Sequence, residues 1–218
     1  MPRRLETFFS EADKEAIRAA TAAAEHGTEG EIVVYVTERC DAYPEAAWKA
    51  ALLGGAVGAL CAAAAVWRFG GWGTADYPWI LIGLQLGFLL GYAASRFDGA
   101  ARHFVDHRDL GSRVEARAAQ AFLEERVFAT RGRTGILIFV ALFEHRVRVL
   151  ADEGIDDHVD QGAWGEISDE LAAAIGRGAP VSAMVHAVER CAQLLTEHGM
   201  AVRDTDNELP DEPRFRHD

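Results

Sequence analysis

Hydrophobic residues in this chain follow three patterns, and each pattern dictates a different element. Where apolar residues recur every three or four positions, they share one face of a helix. This holds for Ile17, Ala20 and Ala24; for Val114, Ala118, Ala121 and Phe122; for Trp164, Ile167, Leu171 and Ile175; and for Val181, Met184, Val185, Val188 and Leu195. Ser10 predicts the N-cap of the first helix, with acidic residues behind it to complement the dipole, and His26-Gly27 ends it. Ser112-Arg-Val-Glu115 has the capping-box spacing and predicts the start of the second helix, which runs to about Thr130. Gly176 to Gly178 stop the third.

Short continuous apolar runs form the second pattern. Glu31–Thr37 and Gly135–Leu142 are rich in β-branched and aromatic residues and predict strands buried on both faces. Arg146-Val-Arg-Val-Leu150 alternates polar with apolar, so it predicts a strand with one exposed face. Glu144-His145 makes the turn into it, and Asp152-Glu-Gly-Ile155 closes the hairpin.

The third pattern is two long apolar stretches, Ala46–Trp67 and Tyr77–Ala94, joined by a short loop holding Gly70-Gly-Trp-Gly73. A helix needs about 20 apolar residues to cross the hydrocarbon core. The first stretch carries one charge, Lys49, near its start, where a lysine snorkels to the headgroups; the second carries one polar residue, Gln85, near its middle. Trp48, Trp67, Trp72, Tyr77, Trp79 and Tyr92 stand near the ends, as interfacial aromatics do. These features predict a transmembrane hairpin over 46–96, with spans of about 46–67 and 77–95. Gly54 and Gly58, and Gly83, Gly87 and Gly91, recur every four residues and each set lines one helix face. Such faces let helix backbones approach in lipid, within the hairpin or between copies in a homo-oligomer. Arg39, Lys49, Arg96, Arg102 and Arg108 flank the spans, whereas the loop holds Arg68 and Asp76. The positive-inside rule then places both termini and the folded domain in the cytoplasm, with the protein multi-pass in the inner membrane. No apolar signal-peptide core follows Met1-Pro-Arg-Arg4.

The element order, α-β-(membrane pair)-α-β-β-α-α, predicts helices on both faces of a small mixed sheet. Arg203–Asp218 is polar, acidic and proline-containing, and predicts a flexible tail. The net charge of −12 argues against nucleic acid, which wants a basic face. Cys40, Cys61 and Cys191 have neither metal nor redox spacing, so the chain reads as reduced, without structural disulfides.

Arg133-Thr-Gly-Ile-Leu-Ile-Phe-Val140, then Glu144-His-Arg-Val-Arg-Val-Leu-Ala-Asp-Glu-Gly-Ile155, then Trp164 heading a helix, resemble the TPM domain family; Asn207-Glu-Leu-Pro-Asp211 looks like its bacterial members. The resemblance divides the domain into 8–40 and 105–200, interrupted by the hairpin and followed by the tail at 203–218. It implies a three-layer α/β/α sandwich, loosely Rossmann-like. It also implies divalent-cation binding in some members, phosphate-ester hydrolysis in some, and accessory roles for membrane complexes in others. The chain departs from the family in lacking an Asp-Pro-rich opening, and in a charge pattern that puts the domain in the cytoplasm.

Asp152, Glu153, Asp156, Asp157 and Asp160 form the best acidic constellation, at a strand end leading into a helix. Ca²⁺ or Mg²⁺ would want several such oxygens, and Asp13 is a candidate to join them. Asp152 and Glu153 stand where the family motif ends. His103 and His107, at i and i+4, would share a helix face as metal ligands do, although their juxtamembrane position favours a solvated helix. No nucleophile elbow, phosphate-binding glycine loop or Cys-x5-Arg loop is present. The expectation is therefore a membrane-anchored accessory module with a bilayer and a membrane protein as partners. The alternative is a phosphatase using a metal-activated water.

Overall fold

The computed structural model describes residues 9–69, 77–156, 158–200 and 208–216. They form two compact units, Met1–Asp41 with Gly111–Asp218, and Ala42–Leu110.

The first unit is built on a four-stranded sheet in the order β3-β2-β1-β4. Its strands are β1 (Glu31–Thr37), β2 (Gly135–Ala141), β3 (Arg146–Ala151) and β4 (Arg214–Arg216). β1 runs parallel to β2 and to β4, and β3 is antiparallel to β2. Every residue of β1 and β2 is buried, whereas β3 alternates along its first four residues. The reason is the layering: β1 and β2 are covered on both faces. One face holds Ile32, Val34, Val36, Ile136, Ile138 and Val140. They pack under α1 (Glu11–Glu25), α7 (Gln161–Gly176) and α8 (Pro180–Glu197), through Ile17, Trp164, Leu171, Met184 and Val188. The other face holds Val33, Tyr35, Leu137 and Phe139 beneath Val114, Ala118 and Ala121 of α5 (His107–Glu124). Tyr35 stacks on Phe139 with ring centroids 5.4 Å apart, and its hydroxyl accepts from Arg117. The result is a three-layer α/β/α sandwich with a mixed sheet.

Three details differ from the sequence reading. α5 begins at His107 rather than behind Ser112, with the Leu110 N–H donating to the Asp106 carbonyl. Asp106 is as good an N-cap type as Ser112, and a capping-box pattern does not say which of two nearby candidates the chain uses. The same helix ends at Glu124, and a 3₁₀ turn over Val127–Ala129 covers the rest of the predicted length.

The expected flexible tail is the third difference, because part of it is a strand. Phe215 packs against Phe9 with ring centroids 5.0 Å apart and planes tilted by 45°. Arg214 and Arg216 both bind Glu125, at 3.0 and 3.1 Å. A three-residue strand carries too little periodicity to be read from sequence, and its stability comes from these distant partners. Glu125→Ala leaves Arg214, nearly buried, without its carboxylate. The expected cost is about 2 kcal/mol, below the usual 3–5 kcal/mol for breaking a fully buried pair. Hydrogen exchange should show it as lost protection of the Phe215 amide while the β1–β2 amides stay protected.

The second unit contains α2 (Pro44–Phe69), α3 (Tyr77–Ala94), the single turn α4 (Asp98–Ala101) and a 3₁₀ turn at Arg102–Phe104. α2 and α3 are long and apolar enough to cross a membrane. Leu52, Leu60, Leu81, Leu86, Leu89 and Leu90 are all more than half exposed, the reverse of core helices. All five glycines of the two stripes stand in the crossing between α2 and α3. A side chain on Gly54 would strike Gly87 and Gly91, and one on Gly58 would strike Gly83 and Gly87. Lys49 donates to the Phe104 carbonyl at 3.2 Å. The loop with Gly70–Gly73 lies outside the described residues.

Candidate functional site

The acidic run starting at Asp152 stands where β3 ends and the single turn α6 (Glu153–Asp156) begins. Asp152 is 4% exposed. Its Oδ1 accepts the Glu153 N–H and its carbonyl accepts the Ile155 N–H, both at 2.9 Å, so Asp152 caps that turn. Its Oδ2 lies 2.9 Å from Nε of Arg133, whose guanidinium also reaches Glu153 at 3.3 Å. Arg133 occupies the turn before β2 with φ +55°. Backbone bonds tie the two segments together, Gly154 N–H to Arg133 at 3.0 Å and Asp152 N–H to Gly135 at 2.9 Å. A Cβ at Gly154 would run into the carbonyls of Gly132 and Arg133, so only glycine permits this approach. The motif residues Arg133, Gly135, Asp152 and Gly154 thus meet in one lock between strand ends.

That lock decides how well a divalent cation fits. Such an ion wants several oxygens that are not already neutralised, and here a guanidinium occupies the open side of the only buried carboxylate in the run's described part. Asp160 is engaged separately: its Oδ2 accepts the Gly162 N–H at 3.0 Å and caps α7. Asp13 is used in a capping box with Ser10, which bonds its carboxyl and holds it below the usual carboxylate range. Asp157 and the side chain of Asp156 lie outside the described residues. Among the described residues no three His, Cys, Asp or Glu side chains gather as metal ligands. Asp152 and Glu153 as placed share one guanidinium and are not gathered with further described ligands. If Arg133 is what keeps cations out, Arg133→Gln should let millimolar Ca²⁺ raise the melting temperature more than it does in the wild type. Equal shifts in the two proteins would count against this.

The histidine pair also changes meaning. His103 lies in the 3₁₀ turn, its Nδ1 2.7 Å from the Gly99 carbonyl oxygen. Val105 is extended before α5 starts at His107, so the two residues do not share a helix. The i, i+4 rule needs unbroken helix between its members, and the side chain of His107 lies outside the described residues.

A carboxyl cluster missed in the sequence gathers at the start of β1. Oε1 of Glu25 accepts the Ile32 N–H at 2.9 Å, while Oε2 is closed off from solvent. Glu31 accepts the N–H groups of Glu208 and Leu209, each at 3.1 Å. Burial pushes Glu25 up to about 9, with the nearby charges of Glu31 and Asp211 adding to it. Burial raises Glu31 as well, against the pull of its two backbone donors. The Glu-Leu-Pro-Asp segment thus docks its backbone on Glu31. The signal available was a glutamate opening an otherwise apolar strand.

At the opposite end of β1, Glu144 is 2% exposed and accepts the Cys40 N–H at 2.9 Å. Arg39 lies over the Phe143 ring at 4.0 Å, and Arg113 pairs with Asp41. α/β folds place ligands at this end of parallel strands, and in this chain the hairpin leaves after Asp41 and returns at Gly111. The inserted segment, residues 42–110, thus follows β1 in the chain. Cys191 sits in the core, where burial pushes its thiol up to about 12, so it is chemically inert.

A helix-covered mixed sheet with these locked strand ends defines a class of fold, and known proteins share it. Residues 98–194 match the model of the TPM domain. α1 and β1 precede the matched segment, yet β1 is one of the two central strands of the sheet. The chain is similar to the NMR structure of the BA42 protein from the psychrophilic bacterium Bizionia argentinensis, at 17% identity and a TM-score of 0.60, over 98% of this chain and 99% of that one. That likeness is one of fold. Among curated proteins, none matches the chain.

Proposed function

We propose that this is a membrane-anchored TPM protein whose folded unit acts as an accessory module for a membrane complex. One observation carries the reading. Along α3, from Tyr77 to Ala94, Gly87 alone is buried, so nearly the whole apolar surface of the helix faces outward. An exposed apolar face of that extent is costly in water and natural in lipid. Basic residues beyond the outer ends of both helices favour an inner-membrane hairpin with the folded unit and the termini in the cytoplasm. The accessory role rests on the site chemistry. Asp13, Asp160, Asp152 and Arg133 are turned to caps and to one another, which suits a binding surface better than a reaction centre.

Two experiments test this separately. The full-length chain should float with liposomes and resist extraction by alkaline carbonate, and a soluble, non-floating chain would end the membrane reading. Cysteines placed at Gly73 and Asp218 should label from opposite sides of sealed vesicles. In-cell crosslinking should return discrete membrane-protein neighbours, and recovery of lipid alone would end the accessory reading.

A further inference from the structure

Gln85 lies near the middle of α3, about 12 Å along the axis from either end at 1.5 Å per residue. It is the only amide side chain in either long helix and is exposed, and none of the described residues hydrogen-bonds it. Its position opposite the seam follows from helix geometry: Gly83 and Gly87 are each two residues away, about 200° around the axis at 100° per residue. That seam is already filled by α2, so the glycines are not available to hold a second molecule. Leu81, Ile82 and Leu89, all exposed, surround Gln85 one turn away on either side.

We propose that this face is a self-association surface on which two copies of the chain pair through reciprocal hydrogen bonds between their Gln85 carboxamides. The inference rests on the membrane reading above. In hydrocarbon an unpaired amide is costly, and polar side chains there bond across helices. A second copy is the occupant that the chemistry favours. A carboxamide both donates and accepts, so it complements itself across a two-fold axis. A second copy inserted in the same sense also brings its own Gln85 to the same depth without further requirement. A different partner helix would need a polar residue of its own at that level.

The test uses the full-length chain reconstituted in phosphatidylcholine–phosphatidylglycerol liposomes at low protein-to-lipid ratio. Energy transfer between donor- and acceptor-labelled copies should report dimers. Gln85→Leu should weaken the dimer on the order of tenfold, while Gln85→Asn should retain most of it. Gln85→Leu should float with the liposomes as well as the wild type does, so loss of transfer is separable from loss of insertion. Floating wild-type chains without energy transfer would overturn the proposal. So would a dimer indifferent to Gln85→Leu, or capture of one other membrane protein through Gln85 in place of a second copy. Failure of the wild type to float would instead strike the membrane reading itself.

Discussion

Gly87→Leu is expected to force α2 and α3 apart. At Gly87 even a Cβ would meet the carbonyl oxygen and carbon of Gly54 and the Cα of Gly58, all backbone atoms that no rotamer change can clear. The helices must then separate toward the roughly 8–10 Å spacing of helices with ordinary side chains. Separation would also forfeit the close contacts of Gly58, Gly83 and Gly91, because the five glycines form one continuous seam. In lipid there is no hydrophobic effect between helices to compensate, so packing is the main attraction that remains. Spin labels at Leu60 and Leu84 in liposomes should report a longer, broader distance distribution in the variant. An unchanged distribution would mean that the helices do not pack through these glycines.

The glycine spacing shows what a sequence yields and what it withholds. A four-residue repeat places Gly83, Gly87 and Gly91 on one face, but only coordinates say whether another helix of the same chain or another molecule sits there. The same limit applies across the domain. Glu31–Thr37 and Gly135–Leu142 were readable as doubly buried strands, the second ending one residue sooner at Ala141, because continuous β-branched runs have one common solution. Arg214–Arg216 was not readable, since its place depends on Glu125, Phe9 and the free edge of β1, all distant in sequence. A carboxylate cluster in sequence, such as Asp152 and Glu153, carries no record of a neighbouring positive charge. Arg133 supplies that charge from a turn before β2, brought alongside only when β2 and β3 pair. Glu25 and Glu31 were passed over for the same reason, their burial being set by the segment that follows Glu208.

That buried pair gives the second large effect, a loss of stability as pH rises through the neutral range. Glu25 ionises near the ordinary glutamate value of 4.5 when unfolded, and burial pushes it up to about 9 in the native state. Below 4.5 both states hold the proton, and the contribution of this group is at its most favourable. Between 4.5 and 9 the native state keeps a proton that the unfolded chain has lost, so each rise in pH favours unfolding. Above 9 both are ionised and the loss is complete. The full slope for one proton is about 1.4 kcal/mol per pH unit, and partial exposure of Glu25 narrows the pH range over which it applies. Glu31, raised by burial, adds to the slope in the same direction. Asp211 faces Glu25 with a charge of the same sign, and Arg18, which attracts Asp211, acts in the other direction. Glu25→Gln keeps an oxygen to accept the Ile32 N–H but has no proton to lose. It should therefore melt higher than the wild type at pH 8 by several degrees, and by little or nothing at pH 5, with a flatter profile between. Denaturation of the full-length protein in detergent across that range would measure it. Parallel profiles for the two proteins would show that Glu25 is ionised in the folded chain and that the cluster does not hold the proton.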